Sequence, residues 1–183
     1  LYEMLSVDRK NKVDRLRNAD MKEKQLKIGA FLQYILSTYL NIVPECVEFE
    51  YNPQGKPSVK QSGSTKNEME LYFNMSHSGD YVVMVISDEA SVGCDIELMR
   101  DRSVSPAQKY FSDAEKAWID SEADKRPAFY RIWTARESYI KLTGEGILLD
   151  FSRYEVNMLD APGSMDAIGG DITNRSEEHT SEL

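Results

Sequence analysis

The run Tyr81-Val82-Val83-Met84-Val85-Ile86-Ser87 is the feature that most restricts how this chain folds. Three valines, an isoleucine and a tyrosine in seven positions favour the pleated backbone, and the run is too short for a core-bearing helix. It reads as a buried strand. Ser87-Asp88-Glu89 supplies a turn, and Ser91 to Leu98 reads as the hairpin partner. Ahead of it, Leu71 to Asn74 is a short apolar run, and Met75-Ser76-His77-Ser78-Gly79-Asp80 reads as a polar loop.

The flanks have helical periods. Leu26, Ala30, Phe31, Tyr34, Ile35 and Leu36 recur at helical spacing, which predicts a helix over Lys22 to Leu40 ended by Asn41 and Pro44. Val47 to Tyr51 alternates like a half-buried strand, Asn52 to Pro57 reads as a turn, and Gln61 to Glu70 as a loop. Beyond Arg100, Ser112 and Glu115 have capping-box spacing and open a helix carrying Trp118 and Ile119. Pro127 sits where a first helical turn accepts proline. From it a helix runs to about Thr143, with Phe129, Ile132, Trp133 and Ile140 expected inside and Gly144 as the stop. Phe151 to Met158 reads as a strand, and Ala161 to Asn174 is Gly-rich and weakly patterned. Helix, strands, helices and strand in that order give an α+β fold rather than a strictly alternating one.

The 183 residues, 41% hydrophobic and 29% charged, have the make-up of a globular protein with a real core. No apolar run reaches bilayer-spanning length, and no signal-peptide pattern opens the chain, so no membrane partner is expected. Cys46 and Cys94 do not make a disulfide framework, and a reduced, cytoplasmic setting is expected. The net charge of −9 excludes general nucleic-acid binding. Yet Arg9, Lys10, Lys12, Arg15, Arg17, Lys22, Lys24 and Lys27 crowd the N-terminal stretch against Asp8, Asp14, Asp20 and Glu23. That cluster is either a solvated helix face or a local phosphate site. The chain begins with Leu1, so its natural start is expected upstream. Arg175 to Leu183 is what one reading frame of a common DNA-sequencing adapter encodes, and these nine residues are expected to be read-through. Without them the net charge falls from −9 to −7, and His77 is the one histidine left.

Four groups of residues can carry chemistry. Asp95-Ile96-Glu97 places two carboxylates on one side of an extended backbone, as two solvated acids or as hard ligands for a divalent cation. Glu137 and Lys141 share a helix face, as an i,i+4 salt bridge or as a third metal ligand beside a phosphate-binding cation. Ser76-His77-Ser78-Gly79 offers hydroxyls, an imidazole and backbone donors that suit a diphosphate, or a plain turn. Gly55-Lys56-Pro57 fixes the backbone of a lysine. Trp133 and Tyr139 read as core. No nucleophile elbow, Walker A loop, dinucleotide glycine motif or zinc-ligand spacing is present.

In order, Gly55-Lys56-Pro57, Phe73-Asn74-Met75-Ser76-His77-Ser78-Gly79, Val92-Gly93-Cys94-Asp95-Ile96-Glu97 and Trp133-Thr134-Ala135-Arg136-Glu137-Ser138-Tyr139-Ile140-Lys141, with Gly144 and Gly146, resemble the signature set of the Sfp-type 4′-phosphopantetheinyl transferases. The likeness runs from about Arg9 to Tyr154. It implies an α+β fold of two similar, pseudo-twofold-related lobes, each a helix on a mainly antiparallel sheet, with coenzyme A between them. The lobes would span 1–98 and 99–174, the second one incomplete. It implies a Mg²⁺-dependent transfer of 4′-phosphopantetheine from coenzyme A to a serine of an acyl or peptidyl carrier protein, releasing adenosine 3′,5′-bisphosphate, by a monomer. Asp95, Glu97 and Glu137 match the metal ligands, Glu137 also the base, and Lys141 the lysine that neutralises the diphosphate. Ser76 and His77 match coenzyme A contacts, with His77 on phosphate, and Lys56 matches a lysine near the nucleotide phosphates. Contacts to the 3′-phosphate and adenine fall near Lys10, Lys12, Arg15 and Lys24. Arg136 stands where lysine is usual, and Cys94 where a small aliphatic residue is common. The alternatives are a coenzyme A-binding module without catalysis and a Mg²⁺-dependent phosphohydrolase of nucleotide diphosphates.

Overall fold

The computed structural model describes residues 1–60, 70–100, 107–146, 154–157 and 164–167. The chain divides into two compact units, Leu1–Leu71 and Tyr72–Leu183. Both combine helices with antiparallel strand pairs, so the class is α+β. The lobe boundary implied near residue 98 falls inside the second unit, and it is a statement about internal similarity rather than contact.

In the first unit, helix α1 (Val7–Asp14) precedes α2 (Ala19–Leu40). α2 begins earlier than its apolar period because Asn18 caps it, accepting the Met21 amide through its side chain. It stops at Asn41, whose left-handed φ of 53° ends the helix as sequence predicts. Ile28, Ala30, Leu32 and Leu36 are buried, while Phe31 and Tyr34 face out. Gln33 is fully buried and fully used. Its Oε1 accepts the Ser6 amide (2.6 Å), and its Nε2 donates to the carbonyls of Pro44 (2.7 Å) and Val47 (3.3 Å). One polar side chain therefore ties the start of the chain to the turn after α2, and no apolar period reveals it. β1 (Phe49–Tyr51) pairs antiparallel with β2 (Pro57–Val59), a shorter ladder than the alternation over Val47 to Tyr51 suggests. The expected loop at Gln61 to Glu70 lies almost wholly outside the described residues.

The second unit opens with a hairpin of β3 (Tyr72–Ser78) and β4 (Tyr81–Ser87), registered from Tyr72↔Ser87 to Ser78↔Tyr81. Gly79 turns the corner at φ 58°, where side chains rarely sit. Two expectations fail here. The predicted polar loop at Met75 to Ser78 is strand, because β4 supplies its hydrogen bonds. The predicted buried strand is not buried: none of the seven residues of β4 is fully covered, and Tyr81 is 67% exposed. Its apolar composition reflects strand preference more than burial.

Helix α3 (Asp113–Ser121) has the predicted capping box. Ser112 Oγ accepts the Glu115 amide, and Glu115 Oε2 accepts the Ser112 amide. α4 (Lys125–Thr143) carries Pro127 in its first turn and ends at Gly144, with φ 71°. Phe129 and Ile132 join Phe111, Ile119, Ala128 and Val156 in the core; full burial of one such side chain contributes about 1.5–3 kcal/mol. Trp133 and Ile140 are only half-buried; Trp133 stacks on Phe129 at 6.3 Å. β5 (Tyr154–Asn157) lies in the predicted strand, and β6 (Ser164–Ala167), in a stretch without a strand pattern, pairs with it. The rest of those two stretches, like 175–183, falls outside the described residues.

The residue that α4 buries most completely beside Ile132 is Arg136, at 1% exposure. Its Nε and Nη2 donate to Glu115 (2.9 and 2.6 Å), and Nη2 also donates to the Tyr154 carbonyl (2.8 Å). Glu115 further accepts the Val156 amide at 2.8 Å. Arg136→Met would strand a buried carboxylate, so urea denaturation is expected to show a loss of about 3–5 kcal/mol. Arg136→Lys should recover only part, since an ammonium cannot hold both carboxylate oxygens and the carbonyl in one plane. A loss near zero for Arg136→Met would mean that Glu115 is not left as an uncompensated buried charge.

Candidate functional site

The carboxylate pair lies on 91–100, which carries no strand ladder, against the hairpin expectation. Side chains of β3 meet its backbone instead. Asn74 Oδ1 accepts the Cys94 amide (3.0 Å), Ser76 Oγ the Ile96 amide (3.3 Å) and Ser78 Oγ the Leu98 amide (3.0 Å). Each bond joins residues 20 apart, so the segment runs in the same direction as β3. The same hydroxyls donate to the acids: Ser76 to Asp95 Oδ1 at 2.7 Å, and Ser78 to Glu97 Oε2 at 3.0 Å. Asp95 and Glu97 therefore reach one face, as their two-residue spacing predicts.

Helix α4 supplies the other charges. Lys141 Nζ donates to Asp95 Oδ1 at 2.5 Å and to Ser76 Oγ at 2.8 Å. The ion pair of Lys141 is thus with Asp95, 46 residues away, rather than with Glu137 on its own helix. Glu137 is half-buried. Its carboxyl is pushed above the usual range by burial first, then by Asp95 and Glu97, with Lys141 opposing. Three carboxylates thus share this neighbourhood with one ammonium.

The close approach of segment and helix depends on Gly93. A Cβ there would collide with the backbone of α4, at the Ser138 carbonyl and at Leu142 N and Cα. Gly93 lies within the motif but has no side chain to draw attention; its contact with α4 explains it. Cys94 is buried, its amide on Asn74, and burial pushes its thiol pKa up.

The structure therefore brings Ser76, Asp95, Glu97, Glu137 and Lys141 together. It does not put His77 beside Ser76: consecutive strand residues face opposite ways, and His77 is exposed between two buried serines. Arg136 faces Glu115 and the core. Lys10, Lys24 and Lys56 belong to the first unit. Lys10 pairs with Glu3 at 3.2 Å, and Lys24 is exposed on α2. Lys56 sits at the end of the β1–β2 loop, where Asn52 Oδ1 accepts its amide (2.8 Å) and partial burial lowers its pKa. In the same unit the Arg9 guanidinium lies over the Phe49 ring at 4.7 Å, and Lys12 lies over Tyr51 at 3.8 Å, which alternation along β1 explains.

As they stand, no three described His, Cys, Asp or Glu side chains close on one point as a metal cage. Two features still fit a divalent cation. Asp95 Oδ2 is buried without a hydrogen-bond partner, and the carboxylates outnumber the ammonium.

Comparison with known proteins agrees with the residue pattern. Residues 91–181 match the family model described as the 4′-phosphopantetheinyl transferase superfamily. Residues 1–89 match that of the 4′-phosphopantetheinyl transferase N-terminal region. The chain is 31% identical to 4′-phosphopantetheinyl transferase gsp of Aneurinibacillus migulanus, over 86% of this chain and 72% of that protein. It is 43% identical to 4′-phosphopantetheinyl transferase AcpT of Salmonella typhi, over 60% and 55%. It is 30% identical to the Synechocystis protein named putative 4′-phosphopantetheinyl transferase slr0495, over 79% and 58%. The chain thus spans 55% to 72% of the length of these relatives.

Two outcomes are expected from this geometry. Gly93→Ala should push the segment off α4, with thermal melting showing a loss of about 1–3 kcal/mol, as overpacking does; a wild-type melt would mean the backbones do not meet there. Because the Glu137 pKa is raised from 4.5 on folding, its stabilising contribution is full below that value and is lost as pH rises through the folded pKa. In chelator, Glu137→Gln should therefore gain stability relative to wild type from acidic to neutral pH. A constant difference in melting temperature would contradict this.

Proposed function

We propose, from the premise that this chain belongs to the 4′-phosphopantetheinyl transferase superfamily, that it moves 4′-phosphopantetheine from coenzyme A to a serine of an acyl or peptidyl carrier protein. The observation that carries this reading is the meeting of Asp95 and Glu97 with Glu137 and Lys141 from α4. Acids gathered round an ammonium, with a raised carboxyl among them, suit phosphoryl chemistry and a proton transfer.

The carrier hydroxyl oxygen attacks the β-phosphorus, the bond from that phosphorus to the bridging oxygen breaks, and adenosine 3′,5′-bisphosphate leaves. An alcohol is a poor nucleophile at neutral pH, so its proton must go to a base. Glu137 takes it, directly or through a water, and its raised pKa brings proton affinity closer to working pH. Lys141, on a flexible four-carbon stem, neutralises Asp95 in the structure and serves the diphosphate when substrate is present. Asp95, Glu97 and Glu137 would hold magnesium, whose charge stabilises negative charge developing on the phosphate oxygens. Ser76 belongs to this site through its bonds to Asp95 and Lys141. His77, Lys56, Lys10 and Lys24 are assigned to coenzyme A phosphates through the resemblance. The two lobes at 1–98 and 99–174, and action as a monomer, belong to the same reading.

Docking of an acidic carrier relies on a local patch rather than on net charge, since this chain is itself acidic. A cytoplasmic setting belongs to the same reading. Among the described residues no helix is long and apolar enough to cross a membrane.

Incubation of the chain with coenzyme A, Mg²⁺ and a panel of apo carrier proteins, read by intact mass, is expected to add one phosphopantetheine to a carrier. Chelator and Glu137→Gln should each abolish the gain. Full activity of Glu137→Gln would remove it as the base. Coenzyme A binding with no mass gain would favour the module without catalysis. Phosphopantetheine release with no carrier present would favour the phosphohydrolase.

A further inference from the structure

Ser76 and Ser78 make the same pair of bonds one strand period apart. Ser76 donates to the carboxylate of Asp95 and accepts the amide of Ile96. Ser78 donates to the carboxylate of Glu97 and accepts the amide of Leu98. A hydroxyl has one proton and two lone pairs, so each serine spends its proton on an acid and a lone pair on the next backbone amide. Asn74 begins the series at Cys94.

The two acids depend on these clamps unequally. Asp95 is nearly buried and also holds Lys141. Glu97 is exposed, and among the described residues Ser78 gives it its one hydrogen bond. A free glutamate samples many rotamers; one held by a buried hydroxyl does not. The bond to Leu98 also fixes the backbone next to the acid, so Ser78 sets both the origin of the side chain and its tip.

We propose that Ser78 is a positioning residue that holds Glu97 ready as a divalent-cation ligand, as Ser76 does for Asp95. This rests on the reading of Asp95 and Glu97 as metal ligands. Ser78 lies on the Phe73–Gly79 motif and Glu97 on the Val92–Glu97 motif, so the clamp gives Ser78 a role whether or not it meets a substrate. The clamp needs both a donor and an acceptor. Alanine removes both functions, threonine keeps both on a β-branched frame suited to a strand, and cysteine keeps the size with a weak donor.

The test is Mn²⁺ binding to the 183-residue chain without coenzyme A, followed by electron paramagnetic resonance, with thermal melting on each variant. Ser78→Ala is expected to weaken Mn²⁺ binding about tenfold, the usual cost of losing an outer partner of a metal ligand. Ser78→Thr should bind as wild type. Glu97→Gln should weaken binding, and adding Ser78→Ala to it should cost nothing more. If Glu97→Gln weakens binding while folded Ser78→Ala matches wild type, the positioning role is overturned and the metal reading stands. If Glu97→Gln binds as wild type, the metal reading fails and the clamp's role fails with it. Should Ser78→Ala not fold, Ser78→Cys takes its place: weaker binding at an unchanged melting temperature supports the role, and wild-type binding overturns it.

Discussion

The bidentate pair of Glu115 and Arg136 is the interaction on which the second unit depends. Both side chains are almost fully buried, at 2% and 1% exposure, where an unpaired charge would be costly. Glu115 closes the start of α3 by accepting the Ser112 amide, receives Arg136 from α4, and accepts the Val156 amide from β5. Arg136 in turn bonds the Tyr154 carbonyl. One carboxylate and one guanidinium thus connect two helices and a strand. Because removing either partner would strand a buried charge, arrangements that separate these pieces are disfavoured.

That fixation sets what α4 presents elsewhere. With Ala128, Phe129, Ile132 and Arg136 inward, Glu137 falls next to the buried stripe and Lys141 one turn further along. The segment carrying Asp95 and Glu97 approaches closely because Gly93 has no side chain, and the serines of β3 hold it without a backbone ladder. The electrostatic result is deliberately unbalanced: burial and neighbouring acids oppose ionisation of Glu137, while one ammonium offsets part of the charge. Perturbed carboxyls of this kind are common at functional sites, and this one carries the proposed function.

Local signals in the sequence match the structure. The capping box at Ser112 and Glu115, the αL stops at Asn41 and Gly144, and the apolar periods of α2 and α4 concern neighbours a few residues apart, where backbone chemistry decides alone. Structure and sequence pattern part where partners are distant. β4 has the composition of an interior strand, yet no residue of it is fully covered. The segment expected to pair with it, Ser91 to Leu98, is held by side chains of β3 instead. Arg136 stands where lysine is usual in its motif, and nothing nearby in the sequence announces Glu115 as its partner. The shared helix face of Glu137 and Lys141 leaves a salt bridge and a ligand-plus-cation pair both open, because i,i+4 spacing cannot reveal that Asp95 takes the ammonium first.

The sequence by itself determined the α+β class, the stops of α2 and α4, the capping box of α3, and the order of motifs that names the family. It could do so because hydrophobic period, capping and motif order are written in adjacent residues. Only the tertiary structure decided who pairs with whom: Lys141 with Asp95, Arg136 with Glu115, and Ser78 with Glu97. It also turned His77 to the opposite face of β3 from Ser76. Partner choice is set by competition among all groups of like chemistry once the backbone has brought them together, and residues 19 to 46 apart carry no local record of that outcome.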